Sequence, residues 1–286
     1  MSPARPRAVY ALLGKPVAGN PTEEMIEAAL AAASLDAEYV SITVAPADLE
    51  DAVRGVRALG FRGLHVTVPH KVAVVRLVDE LTPAAELAGA VNCVKREGSK
   101  LVGDNTDGKG FLAALRQVLD PDAVEAVVIG AGGAARAIAA ELALAGAARI
   151  TIANRSPERA DAIASSVTKA TETAALGTPL TPSWEVPEAD VVVQATTVGM
   201  GDAEARLPLR WRPARPGAVA ADVVIDPPET AFLREAGEAG FTPLDGLGML
   251  VAQATFGFRW WTGVEPDEGA MRRALEAELG LAAERG

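Results

Sequence analysis

The stretch VEAVVIGAGGAARA, residues 124–137, limits the possible folds of this chain more than any other. Its first part is apolar and rich in valine, which is typical of a strand buried on both faces of a parallel sheet. Gly130, Gly132 and Ala135 then fit the pattern G-x-G-x-x-A at the start of a helical pattern. The first glycine permits a tight turn, the second lets the backbone approach a pyrophosphate, and the alanine allows close helix–strand packing. The stretch therefore predicts a Rossmann unit that binds a dinucleotide at a helix N-terminus, although a glycine-rich turn that binds nothing stays an alternative.

The end of the following strand, ARITIA at 148–153, indicates which dinucleotide is bound. An NAD site needs a carboxylate there to accept a hydrogen bond from the ribose 2′-OH. This chain instead has Asn154, Arg155 and Ser156, with Arg159 one helical turn later. A guanidinium pairs well with a 2′-phosphate, so the sequence predicts NADP as the cofactor. The alternative is that both arginines are solvated charges at a helix start.

Short apolar strands alternate with helical patterns along most of the chain, which predicts an α/β fold with mostly parallel sheets. A first βα series ends near residue 107 and a second begins at about 108, so the 286 residues divide into two α/β domains with boundaries near 107 and 245. A C-terminal helix is predicted over 266–281. The segment 168–188, which is rich in Thr, Pro and Ala, is predicted to be a loop with weak elements.

Composition and charge exclude several classes of protein. The formal net charge of −11 disfavours nucleic acid or an anionic membrane as a partner. No apolar run reaches the roughly 18 residues of a membrane-spanning helix. The single cysteine, Cys93, fits a reducing cytoplasm and a buried, inert thiol. No HxxxH, CxxC or calcium-loop pattern is present, so no metal site is predicted. A cytoplasmic enzyme is expected; a homodimer is compatible with these features, and the oligomeric state stays open.

A second candidate site lies in HVTVPHK, residues 65–71, which holds both histidines of the chain. The first four residues alternate like a half-buried strand, and Pro69 ends it because proline has no N–H for the ladder. Lys71 therefore lies where a strand opens into a turn, a place where α/β proteins present side chains to a ligand. His70, which follows the proline, is predicted to face solvent.

A lysine in this position can act as a general acid or base if an anionic partner tunes it. The best candidate for the partner is in GDNTDG, where Asn105, Thr106 and Asp107 form a compact polar group between glycines. Asn92, which follows another predicted strand, could complete the cluster. Spacing alone does not bring these segments together, and an exposed lysine beside a plain polar turn is the alternative.

These motifs make the chain similar to the shikimate dehydrogenase family over its whole length. The matching stretches come in family order and with family spacing: YALLGKPVA, GLHVTVPHK, LAGAVN, GDNTDG, GAGGAAR, ANRS, ATTVGM and DGLGMLVAQA. The resemblance implies an N-terminal substrate-binding domain (1–107), a Rossmann domain for NADP (108–245) and last helices (246–286) that return to the N-terminal domain. The cleft between the domains would hold a small ring hydroxy acid or polyol.

The resemblance also implies roles for individual positions. Lys71 matches the family's catalytic lysine and Asp107 its partner, so Lys71 would protonate the oxygen of a carbonyl that receives a hydride. Thr67, Asn92 and Gln253 match positions that bind substrate. The expected cofactor contacts are Gly130, Gly132, Gly133, Ala134, Asn154, Arg155, Ser156, Arg159, Thr196, Thr197, Met200, Val223, Gly246 and Met249.

Three departures from the family pattern fall on the substrate side. Where the family usually has His-Ser-x-Ser-Pro, with both hydroxyls on the substrate carboxylate, this chain has Asn20 and Thr22 followed by two glutamates. Asn20 and Thr22 can still donate hydrogen bonds. Ile225 stands in place of a tyrosine whose hydroxyl reaches the carboxylate, and it cannot donate. His65 replaces the usual asparagine; it either adds a titratable group or is a strand histidine satisfied by the backbone.

Three functions remain open from the sequence. The departures cluster on one part of the ligand while the cofactor motif and the Lys71–Asp107 pair remain. This favours a working NADP-dependent oxidoreductase whose substrate differs from shikimate, with a changed or missing carboxylate or an amino-substituted ring. The alternatives are an ordinary shikimate dehydrogenase and a regulatory protein that binds NADP without turnover.

Overall fold

The structure is a computed structural model that describes residues 7–281. The chain divides into two compact α/β units. The first unit extends to Thr106 and resumes at Ala254, and the second unit is Asp107–Gln253. The second change of unit therefore falls within a helix, a few residues beyond the boundary near 245 that the sequence predicts. The two α/β units confirm the predicted fold class.

The first unit is built on a six-stranded mixed sheet with the order β2-β1-β3-β5-β6-β4. The strands β1, β2 and β3 are parallel, as predicted, whereas β5 pairs antiparallel with both β3 and β6. The elements of this unit are β1 (Ala8–Gly14), α1 (Thr22–Ala32), β2 (Ala37–Thr43), α2 (Leu49–Leu59), β3 (Gly63–Val66), β4 (Glu80–Leu81), α3 (Pro83–Ala88), β5 (Cys93–Glu97) and β6 (Lys100–Asp104). Two short 3₁₀ helices cover Pro46–Asp48 and Ala73–Leu77.

The second unit is a Rossmann fold. Its six strands are all parallel in the order β14-β13-β11-β7-β8-β9, which is the doubly wound arrangement of two mononucleotide-binding halves. Its elements are α4 (Thr106–Leu115), β7 (Glu125–Ile129), α5 (Gly133–Leu144), β8 (Arg149–Asn154), α6 (Pro157–Ala170), β9 (Ala174–Pro179), β10 (Trp184–Glu185), β11 (Val191–Gln194), β12 (Leu209–Arg210), β13 (Val219–Asp222), α7 (Ala231–Glu238) and β14 (Thr242–Leu244).

Two further helices follow the Rossmann strands, α8 (Gly246–Thr262) and α9 (Glu268–Glu278). The later part of α8 covers one face of the first unit's sheet, where Trp261 stacks on Tyr10 at 5.1 Å between ring centroids. Helix α9 packs against α1. The other face of this sheet packs against α2 through Leu49, Val53 and Val56.

Both faces of the central Rossmann strands β7, β11 and β13 are buried, which explains why these strands are mostly apolar. Val128 and Ile152 belong to the core cluster that includes residues of α5 and α6, whereas Val127 and Ile129 belong to the opposite cluster with residues of α7. The apolar run VEAVVI is therefore the central strand of this unit, as the sequence predicts.

The prediction of loop for 168–188 is wrong in its first part. Helix α6 continues to Ala170, and β9 forms the edge strand of the Rossmann sheet beside β8. The strand AALGTP has low intrinsic β propensity, but backbone pairing to β8 overrides it. Gly177 lets α6 approach the strand, because a Cβ there would lie 2.2 Å from the Asp161 carboxylate.

Within residues 7–281, no helix combines the length and apolar character needed to cross a membrane. Across the same residues, no group of three or more His, Cys, Asp or Glu side chains is arranged to hold a metal ion.

Candidate active site

The substrate-side candidates of the first unit lie at the same end of its sheet, where strands β1 and β3 have their carboxyl ends. Strands β1 and β3 are parallel and end there, and β5 begins there because it is antiparallel to β3. The loop after β1 carries Asn20, and Thr22 is the first residue of α1. The turn after β3 carries Thr67 and Lys71, and Asn92 directly precedes β5. The carboxyl ends of parallel strands are where ligands of α/β sheets bind.

Backbone hydrogen bonds hold the turn that presents Lys71. Thr67 N donates to Leu13 O at 2.8 Å, and Val91 N donates to Lys71 O at 2.7 Å. Gly14 is required beside this turn, since a Cβ there would lie 2.3 Å from the Thr67 methyl group. The prediction that His70 faces solvent is wrong. Its side chain is buried, and Nε2 hydrogen-bonds Val44 O at 2.8 Å, so the ring ties the turn to the end of β2.

The structure brings Asn92 and the GDNTDG segment together. Asn92 Oδ1 accepts from Thr106 N at 2.6 Å, and Asn92 Nδ2 donates to Thr106 Oγ1 at 3.0 Å. Asn105 Nδ2 donates to Ala90 O at 3.0 Å. All three side chains are buried. The polar cluster predicted around Asn92 is therefore formed within the first unit.

Asp107 follows Thr106 directly and is the first residue of the second unit. Its side chain is buried in the first turn of α4. Helix α4 packs closely on its neighbours through glycines: a Cβ at Gly108 would lie 2.3 Å from Ala137 O, and one at Gly110 would lie 2.6 Å from Met249 O. The same helix contact involves Gln253, which is buried on α8.

The positions that depart from the family pattern are ordered. Asn20 Oδ1 accepts from Thr22 N at 3.0 Å, so this oxygen stabilises the start of α1. Thr22 is buried. Burial raises the pKa of the Tyr39 hydroxyl well above its usual value, and the nearby Cys93 and Glu23, the latter in the first turn of α1, raise it further. In the second unit, Ile225 is half-buried in the loop after β13.

His65 is enclosed between β3 and α8. Its Nδ1 shares a hydrogen bond of 2.8 Å with the Tyr39 hydroxyl, and its ring centroid lies 4.5 Å from that of Trp261. Its Nε2 is buried and has no hydrogen-bond partner among residues 7–281. Burial, and secondarily the charge of Lys71, lower the pKa of His65 to about 3, so the ring is neutral at physiological pH. A tyrosine hydroxyl rather than the backbone therefore binds Nδ1 of this histidine.

The second unit has the geometry of a dinucleotide cradle. Gly130 has φ of +121° at the end of β7, where a Cβ would lie 2.6 Å from Ala195 O. Gly132 is the N-cap of α5, and the space that its Cβ would fill is open. Ala135 is fully buried against the sheet, while Gly133 and Ala134 are half-buried in the first turn. No acid lies in that turn, so the N–H groups and the helix dipole are available to a phosphate.

A group of arginines lies beside this cradle. Arg159 Nη2 donates to Ala131 O at 3.2 Å. Burial and the nearby Arg159 both lower the pKa of the half-buried Arg136. Arg155 is exposed at the start of α6, where Asn154 Nδ2 donates to Ser156 O at 3.0 Å. None of the three arginines forms an ion pair within residues 7–281, so their charges are left for an anion. Sequence reasoning missed Arg136; its place in the first turn after the glycines was the available signal.

The other expected cofactor contacts lie at strand ends or helix starts in the second unit. Thr196, Thr197 and Met200 follow β11, Val223 follows β13, and Gly246 and Met249 begin α8. Gly246 approaches the end of β13 closely, because a Cβ there would lie 2.7 Å from Val224 O. The side chains of Thr197 and Met200 are exposed, and Met249 belongs to the core of the unit.

A Rossmann unit with a glycine turn at a helix N-terminus, and an α/β unit with a lysine and amides at its strand ends, are the parts expected of a nicotinamide-dependent dehydrogenase. Comparison with protein families identifies the family. Three family descriptions match: "Shikimate dehydrogenase substrate binding domain" over residues 12–94, "Shikimate / quinate 5-dehydrogenase" over 113–199, and "Shikimate 5'-dehydrogenase C-terminal domain" over 246–276. The chain belongs to the shikimate dehydrogenase family.

Individual relatives agree over nearly the full length. Shikimate dehydrogenase (NADP(+)) of Geobacter metallireducens is 45% identical over 278 residues, which cover 95% of this chain and 96% of the relative. The enzyme of the same name from Bacillus subtilis is 39% identical and covers 96% and 98% of the two chains.

Two solved structures are similar over the whole chain. The ligand-free 5-ketofructose reductase of Gluconobacter sp. strain CHM43 has a TM-score of 0.89 and 42% identity, and the match covers 96% of this chain and 99% of that one. Shikimate 5-dehydrogenase of Thermus thermophilus, in complex with NADP(H) and shikimate, has a TM-score of 0.84 and 36% identity, with 95% and 100% covered.

Proposed function

We propose that this chain is an NADP-dependent oxidoreductase that reduces the carbonyl of a polyhydroxylated compound which has no carboxylate where shikimate has one. The observation that carries the substrate class is the replacement of the carboxylate-binding groups: Ile225 offers no hydroxyl, and the acid Glu23 stands beside Thr22. A carboxylate near Glu23 would be repelled, whereas a neutral hydroxyl could donate to it.

The Rossmann unit supports NADP as the cofactor. The open space beside Gly132 leaves room for a pyrophosphate, and the residues after β8 include no carboxylate that would repel a 2′-phosphate before Glu158. Arg136, Arg155 and Arg159 supply positive charge at the starts of α5 and α6. The names of the relatives from Geobacter and Bacillus, which specify NADP(+), point to the same cofactor.

Lys71 and Asp107 would carry the proton chemistry. Bound NADPH supplies a hydride to the carbonyl carbon, and the electron pair of the C=O bond moves onto oxygen. Lys71 donates a proton to that oxygen and neutralises its charge, and Asp107 orients the ammonium group. The hydrogen bonds of the first unit favour this pairing: Lys71 O binds Val91 N, Asn92 binds Thr106, and Asp107 is the next residue along the chain.

The substrate hydroxyls would be bound by neutral amides and hydroxyls. The candidates are Thr67 and Asn92, near the carboxyl ends of β1 and β3 in the first unit, and Gln253 on α8, and none of them requires a carboxylate on the substrate. The similarity to 5-ketofructose reductase supports this class, because a ketose is a polyhydroxylated ketone without a carboxylate. An amino-substituted ring would meet the same requirement if its amine faced Glu23.

The second candidate is the reduction of 3-dehydroshikimate to shikimate. It is favoured by the names of the relatives that are 39–45% identical to this chain. Asn20 and Thr22 would then replace the two serine hydroxyls. A protein that binds NADP without turnover is a third candidate, but the intact Lys71 and Asp107 do not favour it.

Steady-state kinetics with NADPH test the proposal directly. We expect kcat/KM for 5-ketofructose, or for another neutral polyhydroxylated ketone, to exceed that for 3-dehydroshikimate by about tenfold or more. A higher kcat/KM for 3-dehydroshikimate would establish the second candidate instead, and NADPH binding without turnover on either substrate would establish the third.

Restoring the family pattern tests the residues that carry the argument. The triple variant Asn20→Ser, Thr22→Ser, Ile225→Tyr should raise kcat/KM for 3-dehydroshikimate and lower it for the neutral ketone. The single variant Ile225→Val serves as a matched control, because it changes the same side chain without adding a hydroxyl. If the triple variant shifts neither value relative to this control, the three positions do not select the substrate.

A further inference from the structure

Two buried polar residues end neighbouring strands of the Rossmann sheet, where an all-apolar core would be expected. Gln194 is the last residue of β11 and Asp222 the last residue of β13, and the two lie side by side in the parallel register. Both are at most 2% exposed to solvent, as is Thr230 at the start of α7. A buried carboxylate needs several hydrogen bonds to offset its lost hydration.

Asp222 accepts hydrogen bonds from three different segments. Its Oδ1 accepts from Val224 N at 2.9 Å and from Gln194 Nε2 at 3.1 Å, and its Oδ2 accepts from Thr230 Oγ1 at 2.7 Å. Burial raises the pKa of Asp222 to about 6, although these donors lower it. Burial therefore has the larger effect on this pKa, while the three donors fix the position of the carboxylate.

Gln194 extends the network to the loop after β11. Its Nε2 also donates to Val198 O at 2.8 Å, and its Oε1 accepts from Thr196 N. A backbone bond of 2.9 Å from Gly201 N to Asp226 O connects the same two loops again. The Asp222 carboxylate, through Gln194, and this backbone bond thus both fix the loops after β11 and β13 to each other.

These loops lie on the half of the sheet that receives the nicotinamide. In a doubly wound sheet the pyrophosphate lies over the first strand, and the two halves of the dinucleotide extend to opposite sides. The arginines lie on the β8 side of β7, which is the adenosine side. The β11–β13 side is then the nicotinamide side, and it carries Thr196 and Val223.

We propose that Asp222 is a positioning residue for the nicotinamide half of the cofactor, acting through Gln194 and Thr230 on the loops after β11 and β13. This inference rests on the proposed use of NADP. It predicts that loss of the carboxylate weakens binding of the nicotinamide half while binding of the adenosine half is preserved.

The test compares two ligands on the full-length variant Asp222→Asn. NADPH occupies both halves of the cradle, whereas adenosine 2′,5′-bisphosphate occupies the adenosine half alone. Calorimetry should give a Kd for NADPH that rises about tenfold, the size expected for a lost hydrogen bond to a charged group, with an unchanged Kd for the bisphosphate. Unchanged values for both ligands, or an equal loss for both, would overturn the proposal.

A second pair of variants covers the case in which Asp222→Asn does not fold. Thr230→Ser keeps the hydroxyl that donates to Asp222, and Thr230→Val removes it with little change of shape. Thr230→Val should weaken NADPH binding without affecting binding of the bisphosphate. Thr230→Ser should bind both ligands as the wild type does. Equal effects of the two substitutions on NADPH binding would count against the positioning role of Asp222.

Thr173→Val is the matched control, because it removes a buried threonine hydroxyl of the same unit, bonded to Ala147 O at 2.8 Å, away from these loops. It should leave both dissociation constants unchanged. NADPH binding by the wild-type protein tests the proposed function itself, so a failure of that function is distinguishable from a failure of the role of Asp222.

Discussion

His65 has an environment that couples its protonation to folding. Its pKa is lowered to about 3 because burial disfavours the imidazolium ion and Lys71 repels it. In the unfolded chain a histidine has a pKa of about 6.5. Between these values the unfolded state binds a proton that the folded state does not, so the free energy of unfolding decreases as the pH falls.

We therefore expect the wild-type protein to lose about 1.4 kcal/mol of stability per pH unit at pH values well below about 6.5 through His65. Above about pH 7 this contribution is constant. Urea denaturation at several pH values, on the wild type and on His65→Gln, measures it. His65→Gln should lack this part of the loss of stability. Parallel curves of unfolding free energy against pH for the two proteins would show that His65 does not cause it. Asp222, whose raised pKa acts in the opposite direction, is present in both proteins and cancels in the difference.

Lys71 is the residue on which turnover should depend most. Replacing it with methionine keeps the aliphatic stem but removes the proton donor, so kcat should fall by about 10²–10⁴-fold. The Kd for NADPH should change little, because the expected cofactor contacts lie in the second unit. Lys100→Met is the matched control: this lysine is exposed and pairs with Glu80, so its loss should leave kcat unchanged. Equal kcat values for the two variants would remove Lys71 from the reaction.

At the scale of single elements, we expect the starts of α5 and α6 to determine the preference for NADP over NAD. Arg136 and Arg159 are close enough for Arg159 to lower the pKa of the half-buried Arg136 further, and Arg155 is exposed just before α6, so a 2′-phosphate bound there would offset positive charge. Arg155→Asp should raise the KM for NADPH by about tenfold or more, because a carboxylate would repel the phosphate. The KM for NADH, which has no phosphate there, should change far less. An equal change for both cofactors would mean that Arg155 is a solvated surface charge.

Helix α8 packs closely on strand β3 because Gly257 of α8 has no side chain. A Cβ at Gly257 would lie 2.7 Å from His65 Nε2, and the hydrogen bond to Tyr39 restrains the ring from moving away. Gly257→Ala should therefore cost about 1–3 kcal/mol, despite the higher helix propensity of alanine. In a His65→Ala background the same change should be neutral or stabilising.

The control for this double-mutant cycle is Gly55→Ala in α2, where a Cβ would meet no atom within 4 Å. It should stabilise the protein by about 0.5–1 kcal/mol in either background. Additive effects of Gly257→Ala and His65→Ala in thermal denaturation would show that the two residues do not interact.

The sequence predicted those elements whose signals are local. The strand VEAVVI, the glycine turn and the helix after it could be read directly, because apolar period and turn chemistry act over a few residues. Strand β9 was missed because its AALGTP sequence is weak and its pairing to β8 supplies the stability. The environments of His65 and His70 were also hidden, since their partners Tyr39 and Val44 come from β2 and the residue after it, and β1 separates β2 from β3 in the sheet. Such contacts depend on tertiary packing rather than on sequence spacing.

At the scale of the whole molecule, the first unit is built from both ends of the chain. Its sheet is complete by residue 106, but α9 packs on α1 only after the entire second unit has intervened. Met271 and Leu275 of α9 are fully buried. The stability of the substrate-side unit therefore depends on residues that lie more than 160 positions beyond its last strand.

This arrangement predicts that a destabilising substitution in α9 lowers the stability of the first unit only. Leu275→Ala should lower the stability of the first unit by about 2–5 kcal/mol, because it leaves a cavity in a buried contact. Hydrogen exchange should then accelerate in β1 and α1, while amides of β7 and β8 stay protected and adenosine 2′,5′-bisphosphate still binds. Arg273→Ala on the exposed side of the same helix is the control and should change neither exchange nor turnover. Equal acceleration in both sheets would mean that the two units unfold as one, and a loss at α9 would then remove cofactor binding together with catalysis.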